Sequence, residues 1–235
     1  MELKYSRVLL KLSGMAVADE KKDFDFAKVE LLVKEIKELQ AQGLQLAIVI
    51  GGGNIMRGRS IKKGEIEVDR ADYMGMLATN INSLALGGIM DKLDVDNKVL
   101  SAWPMKGLVP KATKCRIKKY LKQGKVVVFG GGTGKPGRST DTTSTLRAKQ
   151  AGMQVILKAT DVDGVYDSDP GENPNAKMFD TLTYDVAMEK QLKVMDLGAF
   201  QMAKDEDVKI IVFKMEPGNL TKAVTGEKIG TIVSN

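Results

Sequence analysis

The sequence contains no histidine and only one cysteine, Cys115. A single cysteine cannot form a disulfide within the chain, and a zinc site built from cysteine and histidine is excluded. Without histidine as a general base, any catalysis must use lysine, arginine, aspartate and backbone amides. Long apolar runs are also lacking, because a stretch such as 46–50 is far too short to span a bilayer, and the polar amino terminus does not resemble a signal peptide. We therefore expect a cytoplasmic protein.

Aromatic residues are scarce at 5%, yet 43% of the 235 residues are hydrophobic and 28% are charged, as in ordinary globular proteins. A chain of this length suits a single α/β domain, and we expect one domain over 1–235. The net charge of +6 suits an anionic ligand without requiring one. The densest basic stretch, 111–125, places Ile117, Tyr120 and Leu121 at helical spacing. A solvated lysine face is the favoured interpretation over a nucleic-acid patch, so no nucleic-acid partner is expected.

Apolar strands alternate with amphipathic helices along the chain, and this alternation predicts an α/β fold. The first helix is expected between a cap at Asp25 and a stop at Gly43, and the second, over about 70–92, places Met74, Leu77, Ile81 and Leu84 on one face. A long polar loop is expected at 160–177. Strands are predicted at 5–12, 44–50, 98–103, 125–129, 154–159, 209–214 and 230–233, and the remaining helices at 112–122, 139–150, 185–191, 196–204 and 220–224. The expected architecture is a three-layer αβα sandwich with a mostly parallel central sheet.

Glycine clusters follow three of the predicted strands, at Gly14, 51–53 and 130–134. Each lies at the carboxyl edge of the sheet, where open α/β folds bind ligands. Glycine lets the backbone approach an oxyanion closely, and a following helix adds a favourable dipole. One such loop is equally well a tight turn, but three in corresponding places indicate a polyphosphate site. The basic residues beside them are Lys11, Arg57 and Lys135.

Two common nucleotide motifs can be compared with the third cluster. The phosphate loop of P-loop NTPases is not matched, because Phe129 stands at its first glycine and Pro136 at the Ser or Thr that binds magnesium. Residues 132–137 do read G-x-G-x-x-G, and Asp161 follows at about the spacing expected for a ribose-binding acid. A dinucleotide-binding protein is therefore an alternative, although it leaves the first two glycine clusters unexplained.

Taken together, motifs spread over almost the whole chain resemble the bacterial uridylate kinases of the amino acid kinase family. No single motif is specific, but their order and spacing are. In chain order they are Lys11-Leu12-Ser13-Gly14, residues 51–58, residues 69–79, Gly132-Thr133-Gly134 with Thr140-Asp141, Lys158-Ala159-Thr160, residues 162–166 with Asp169-Pro170, and residues 192–197.

The resemblance implies an enzyme that transfers the γ-phosphoryl of ATP to UMP, with Mg²⁺ held mainly by the nucleotide phosphates, and it implies a homohexamer. Residues at the positions of the family's ATP site are Lys11, Leu12, Ser13, Gly14, Gly53, Arg57, Thr160, Tyr166 and Asp169. Residues at the positions of its UMP site are Gly52, Asp72, Thr133, Gly134, Lys135, Pro136, Gly137, Arg138, Ser139 and Thr140.

Within this framework four residues are candidates for catalysis. Phosphoryl transfer is catalysed mostly by alignment and by neutralising charge on the moving group. We expect Lys11 to bridge the transferred phosphoryl, with Arg57 as a second cation. Asp141 and Asp196 are expected to orient the lysine and the hydrated magnesium, and both are also suited to cap a helix.

The loop at 135–141 departs from the family. Bacterial members usually carry Asn-Pro-Phe-Phe-Thr-Thr-Asp there, whereas this chain has Lys-Pro-Gly-Arg-Ser-Thr-Asp, which is more similar to the archaeal branch. Other acceptors of the same fold therefore stay open, namely carbamate, aspartate and acetylglutamate. A non-catalytic protein that binds a nucleotide or an oxyanion is a further alternative.

Overall fold

The computed structural model describes residues 2–19, 23–56, 65–192 and 195–235. The strands are β1 (Arg7–Leu12), β2 (Gln45–Ile50), β3 (Asn97–Ser101), β4 (Val126–Gly130), β5 (Val155–Thr160), β6 (Thr181–Thr183), β7 (Lys209–Lys214) and β8 (Thr231–Ser234). They form an eight-stranded sheet in the order β3-β4-β2-β1-β5-β7-β8-β6. Paired strands are parallel except β7 and β8, so the predicted mostly parallel sheet is confirmed.

Helices cover both faces of this sheet. They are α1 (Phe26–Ala41), α2 (Val68–Lys92), α3 (Lys114–Lys122), α4 (Thr140–Ala151), α5 (Tyr184–Glu189), α6 (Leu197–Asp205) and α7 (Asn219–Thr225). Apolar side chains of α1, α2 and α7 pack on one face of the sheet, and those of α3, α4, α5 and α6 pack on the other. The two cores are separate because successive strand residues point to opposite faces. The predicted αβα sandwich is confirmed.

The first helix shows why the sequence pattern predicts its element well. Its five apolar positions at helical spacing are buried, and the Asp25 side chain accepts a hydrogen bond from the backbone nitrogen of Lys28. The helix ends just before Gly43, whose φ of 87° is strained for other residues. The capping residue, the glycine stop and the buried apolar positions therefore all indicate a helix over this segment.

Other boundaries differ from the prediction. The strand predicted at 98–103 ends at Ser101, since Ala102 and Trp103 lead into Pro104, which restricts the residue before it. The basic helix begins at Lys114, because the Thr113 side chain caps it by accepting from Arg116 N. The sequence does not predict β6, since three residues with one buried side chain give too short a pattern.

Between residues 74 and 83 the faces of α2 are the reverse of a simple amphipathic helix, whereas Leu86, Ile89 and Met90 further along are buried in the core. Met74, Leu77 and Ile81 share a face as predicted, but this face is 39–51% exposed. The opposite face buries polar side chains against the loops that follow the strands, namely those of Thr79, Asn80, Asn82 and Ser83. Of the described helices, including the 25-residue α2, none has an apolar stretch long enough to cross a membrane.

Candidate active site

The strand order brings the three glycine clusters to one edge of the sheet. β4, β2 and β1 are parallel neighbours, so their following loops emerge side by side, next to the end of β5. The first two loops are in contact, because a Cβ on Gly14 would lie 2.8 Å from the backbone nitrogen of Gly53. Between Lys11 and Gly14, Leu12 is buried and Ser13 is exposed. The predicted convergence of the clusters is confirmed.

The third glycine loop has a shape that only glycine adopts readily. Gly131, Gly132 and Gly134 have φ values of 72°, 57° and 83°. A Cβ on Gly130 would lie 2.3 Å from the side-chain oxygen of Asn80 in α2. The loop is therefore fixed both by its own backbone and by close packing on α2.

Two lysines and one aspartate form an ion-pair cluster at this edge, which we call the lysine cluster: Lys11, Lys158 and Asp141. Lys11 on β1 and Lys158 on β5 are register partners in adjacent strands, so both point to the same face of the sheet. Asp141 lies in the first turn of α4. Its Oδ1 is 3.2 Å from Lys11 Nζ and its Oδ2 is 3.0 Å from Lys158 Nζ. The side chains are only 13%, 10% and 16% exposed for Lys11, Lys158 and Asp141.

The charges in the lysine cluster oppose the effect of burial. Burial alone raises the pKa of Asp141, but the charges of Lys11 and Lys158 outweigh it and hold that pKa below its usual range. Burial lowers the pKa of Lys158, and the charge of Lys11 lowers it further, against the opposing effects of Asp141 and Asp196. The resulting pKa of Lys158 is below normal. Within the cluster itself two cations face one carboxylate, and this excess positive charge, which Asp196 partly offsets, favours an anionic ligand.

Asp196 connects the amino-terminal ends of two helices near this cluster. It caps α6 by accepting from Ala199 N at 2.8 Å. Its other oxygen accepts from the hydroxyls of Ser139 and Thr142. Ser139, and not Asp141, caps α4, so the capping role considered for Asp141 is wrong. Asp141 is free for the lysines because a serine two residues earlier takes the cap.

Buried polar residues of α2 fix the second and third loops. Thr79 Oγ1 accepts from the backbone nitrogen of Gly131 at 2.8 Å, and Asn82 Nδ2 donates to the carbonyl of Gly51 at 2.6 Å. Asn82 also exchanges side-chain hydrogen bonds with Asn54. Gly52 lies directly under the helix, where a Cβ would come 2.8 Å from the carbonyl of Gly75. Sequence reasoning missed Asn80 and Asn82, although polar residues in a helix that faces a core are a detectable signal.

The Thr79 hydrogen bond is testable with a substitution of nearly equal shape. Replacing Thr79 with valine leaves the buried Gly131 N–H without its acceptor, which costs about 1–3 kcal/mol. We expect urea denaturation to show a free energy of unfolding lower by about 2 kcal/mol. Thr181→Val is the control, since Thr181 is exposed at the sheet edge and should change stability little. Equal stability of the two variants would contradict the anchoring role.

Arg147 of α4 is a buried cation that sequence reasoning also missed. Its guanidinium lies 5.2 Å from the ring centre of Phe129 and donates to the carbonyl of Gly132 at 3.1 Å and to Gln150 Oε1 at 2.7 Å. Burial lowers its pKa to about 10, which leaves it protonated at neutral pH. The positive charge thus lies behind the third glycine loop and supports its backbone.

The third glycine loop continues through residues 135–139 to the start of α4. The backbone nitrogen of Gly137 donates to Asp72 Oδ2 at 2.6 Å, which joins the loop to the start of α2. Thr133 Oγ1 accepts from Lys135 N at 3.2 Å. The structure therefore brings Asp72 together with the loop at 133–140, both of which are predicted for the UMP site. Lys135, Gly137 and Arg138 are exposed, and Pro136 and Thr140 are partly buried.

Three residues predicted for the ATP site, namely Thr160, Tyr166 and Asp169, lie at the end of β5 or in the segment that follows it. Their side-chain hydrogen bonds are local: Thr160 Oγ1 donates to Asp161, Tyr166 OH donates to Asp163, and Asp169 Oδ1 accepts from Gly171 N. Thr160 itself stands at the end of β5, two residues beyond Lys158. Arg57, the second predicted cation, lies outside the described residues.

Comparisons with known proteins agree with this geometry. A model of the amino acid kinase family matches residues 6–214. The crystal structure of UMP kinase from Bacillus anthracis is 37% identical with a TM-score of 0.94, over 98% of this chain and 96% of that one. UMP kinase from Ureaplasma parvum is 35% identical with a TM-score of 0.93, over 99% and 100%. Uridylate kinase from Archaeoglobus fulgidus is 30% identical with a TM-score of 0.75, over 97% and 99%. The chain belongs to the amino acid kinase family.

Proposed function

We propose that this protein phosphorylates UMP to UDP with ATP, as a step of pyrimidine nucleotide synthesis. The observation that carries the proposal is the lysine cluster at the meeting point of three glycine loops, in a fold shared end to end with two bacterial UMP kinases. Both bacterial structures superpose more closely than the archaeal one. The similarity of loop 135–141 to the archaeal branch is therefore local. We further propose that residues 1–235 form one domain and act in the cytoplasm.

The lysine cluster supplies the charge that phosphoryl transfer requires. In such a reaction the protein mainly aligns the reactants and neutralises charge on the transferred group. Lys11 binds the transferred phosphoryl, and Lys158 supplies a second ammonium beside it. Asp141 holds both ammoniums in place, since each of its oxygens faces one lysine. The phosphate of UMP is already ionised at neutral pH, so no histidine base is needed.

The two ends of the site bind different nucleotides in this proposal. ATP lies over the loops after β1, β2 and β5, with Thr160, Tyr166 and Asp169 along its nucleoside. UMP lies along the third glycine loop, with Asp72 as the acceptor for a ribose hydroxyl. The amino-terminal ends of α4 and α6 face the anionic groups between them, where the helix dipole is favourable. Arg57 remains a proposed second cation for ATP.

The described side chains alone do not form a magnesium site, so we propose that Mg²⁺ binds together with a nucleotide. Among the described residues, no group of three or more His, Cys, Asp or Glu side chains is placed to hold a metal ion. However, the buried Asp141 Oδ1 has no partner among the described residues other than the Lys11 ammonium at 3.2 Å, and Mg²⁺ typically binds one or two carboxylates plus substrate phosphates. We propose that Asp141 and Asp196 hold the water shell of an ion that the nucleotide phosphates bind. When bound, Mg²⁺ neutralises phosphate charge.

A panel of phosphoryl acceptors tests the proposed reaction. ADP release would be followed with ATP and Mg²⁺ plus UMP, CMP, carbamate, aspartate or acetylglutamate. We expect rapid turnover with UMP and much slower turnover with the others. Turnover with a carboxylate or carbamate instead would identify another kinase of this fold. Tight ATP binding without any turnover would identify a non-catalytic nucleotide-binding protein.

We also propose that the protein assembles as a homohexamer, and the exposed apolar face of α2 supports self-association. Leu77 and Ile81 are 51% and 48% exposed on one face of this helix. Apolar side chains in such a row are typical of a surface that another protein covers. The neighbouring Met74 extends the same face.

Charges on this face are expected to break the assembly. The double variant Leu77→Glu with Ile81→Glu should elute as a smaller species than the wild type, because burying two carboxylates in an apolar interface is costly. Light scattering coupled to size-exclusion chromatography measures the mass. Leu31→Glu is the matched control, since Leu31 of α1 is 56% exposed and lies on another surface. An unchanged mass for the double variant would contradict an interface on α2.

A further inference from the structure

Trp103 is the single tryptophan of the chain, and it lies against the third glycine loop. It follows β3, which pairs with β4, so it stands at the same edge of the sheet as the lysine cluster. A Cβ on Gly134 would lie 3.4 Å from the indole Nε1 of Trp103 and 3.1 Å from the Cβ of Ala102. Glycine at 134 therefore leaves just enough room for the indole beside the loop.

Tyr73 extends this aromatic surface. Its ring centre is 5.7 Å from that of Trp103, with the planes tilted by 50°, a favourable arrangement for an aromatic pair. Tyr73 follows Asp72, which holds the other end of the loop through Gly137. The aromatic pair and Asp72 thus lie beside the same short stretch of loop.

The pair is not part of a hydrophobic core. Tyr73 is 41% exposed and Trp103 is half-buried. The indole N–H of Trp103 donates no hydrogen bond within the part of the chain that the structure describes. The loop itself, from 130 to 140, contains no aromatic side chain. Any aromatic contact to a ligand on this loop must therefore come from neighbouring segments.

Taking UMP as the acceptor nucleotide from the proposed function, we propose that Trp103 packs against its pyrimidine ring and that Tyr73 supports the indole. Every base has a π face that stacks on aromatic side chains, and such contacts typically contribute substantially to binding. Asp72 and the loop backbone hold the sugar, and the indole holds the base. Trp103 is then the residue that makes binding depend on the presence of a base.

The emission of this single tryptophan reports the contact directly. Fluorescence would be recorded without ATP during titration with UMP and, separately, with ribose 5-phosphate, which has the sugar and the phosphate but no base. Calorimetry would establish in parallel that each ligand is bound. We expect UMP to quench or shift the emission and bound ribose 5-phosphate to leave it nearly unchanged. Unchanged emission with UMP bound would overturn the contact, as would equal changes with both ligands.

Substitutions separate a base contact from a structural role. We expect Trp103→Ala to raise KM for UMP about tenfold, with kcat and KM for ATP within about twofold of the wild type. Trp103→Phe keeps an aromatic face and should restore most of the loss. A fall in kcat with an unchanged KM for UMP would overturn the proposal, because it would indicate a structural effect.

Contact of Trp103 with the base and phosphorylation of UMP can be measured separately. Emission is measured without ATP, so it reports the contact whether or not UMP is phosphorylated. Wild-type protein that binds UMP with an emission change but does not phosphorylate it would contradict the proposed function alone. Absence of UMP binding would overturn both.

Discussion

Replacing Lys11 with alanine is expected to lower kcat for UDP formation about 1000-fold, equivalent to ~4 kcal/mol of the activation barrier. In the proposed mechanism Lys11 brings a nearly buried ammonium to the transferred phosphoryl, and charge is worth more in a site shielded from water. Steady-state kinetics with saturating ATP and UMP measures the effect. KM for UMP should change much less, because the charge acts mainly in the transition state.

Lys209→Ala is the matched control for this variant. Lys209 is also a strand lysine, but it stands at the exposed start of β7. We expect full activity for the control and a cooperative thermal unfolding transition for both proteins. A Lys11→Ala protein with kcat within a few fold of the wild type would contradict the proposed mechanism.

The second large effect is expected for Asp141→Asn, in stability as well as in activity. The substitution keeps the shape but leaves the ammoniums of Lys11 and Lys158 facing each other without a carboxylate. Removing one member of a buried ion pair typically costs about 3–5 kcal/mol, because the remaining charge is uncompensated. For a chain of this size, a loss of about 3 kcal/mol lowers Tm by roughly 6–12 °C. We expect kcat to fall about 100-fold as well, since Lys11 loses its orientation.

A second substitution distinguishes charge from packing in this variant. Adding Lys158→Met to Asp141→Asn removes one of the two facing ammoniums, so part of the lost Tm should return while activity stays low. No recovery in the double variant would indicate that packing, and not charge, causes the instability.

The stabilisation of the fold by Asp141 is expected to decrease at low pH. Because the folded protein holds the pKa of this carboxyl below its usual range, Asp141 stabilises the fold at pH values above the unfolded pKa of about 4. This stabilisation is lost as the pH falls through the lower folded pKa. The difference in Tm between the wild type and Asp141→Asn should therefore be full near pH 7 and shrink below about pH 4.

The sequence predicts the sheet, the helices and the edge that carries the site, because these follow from short-range patterns. Alternating apolar strands and helices specify a parallel sheet, and glycine after a strand marks its carboxyl edge. Lys11 is predicted because it stands beside a glycine loop, whereas Asp141 is a candidate because the resemblance to the uridylate kinases covers its position. Their contact in the lysine cluster agrees with that prediction.

Residues that depend on tertiary pairing are not predictable in this way. Lys158 stands in an apolar strand, and only the register of β1 against β5 places it opposite Lys11. Asn82 and Thr79 are polar residues in the part of α2 whose predicted apolar face is exposed, so periodicity assigns them to the wrong side. Arg147 supports the carbonyl of Gly132 from 15 positions away, a contact that no local motif encodes.

In the proposed mechanism the lysine cluster promotes transfer of the γ-phosphoryl of ATP to UMP. The most direct measurement follows radiolabel from the γ position of ATP and separates the products, with wild-type and Lys11→Ala proteins in parallel. We expect labelled UDP as the product of the wild type, and about 1000-fold slower labelling with the variant. Wild-type protein that produces no labelled UDP, or equal labelling by the two proteins, would contradict it.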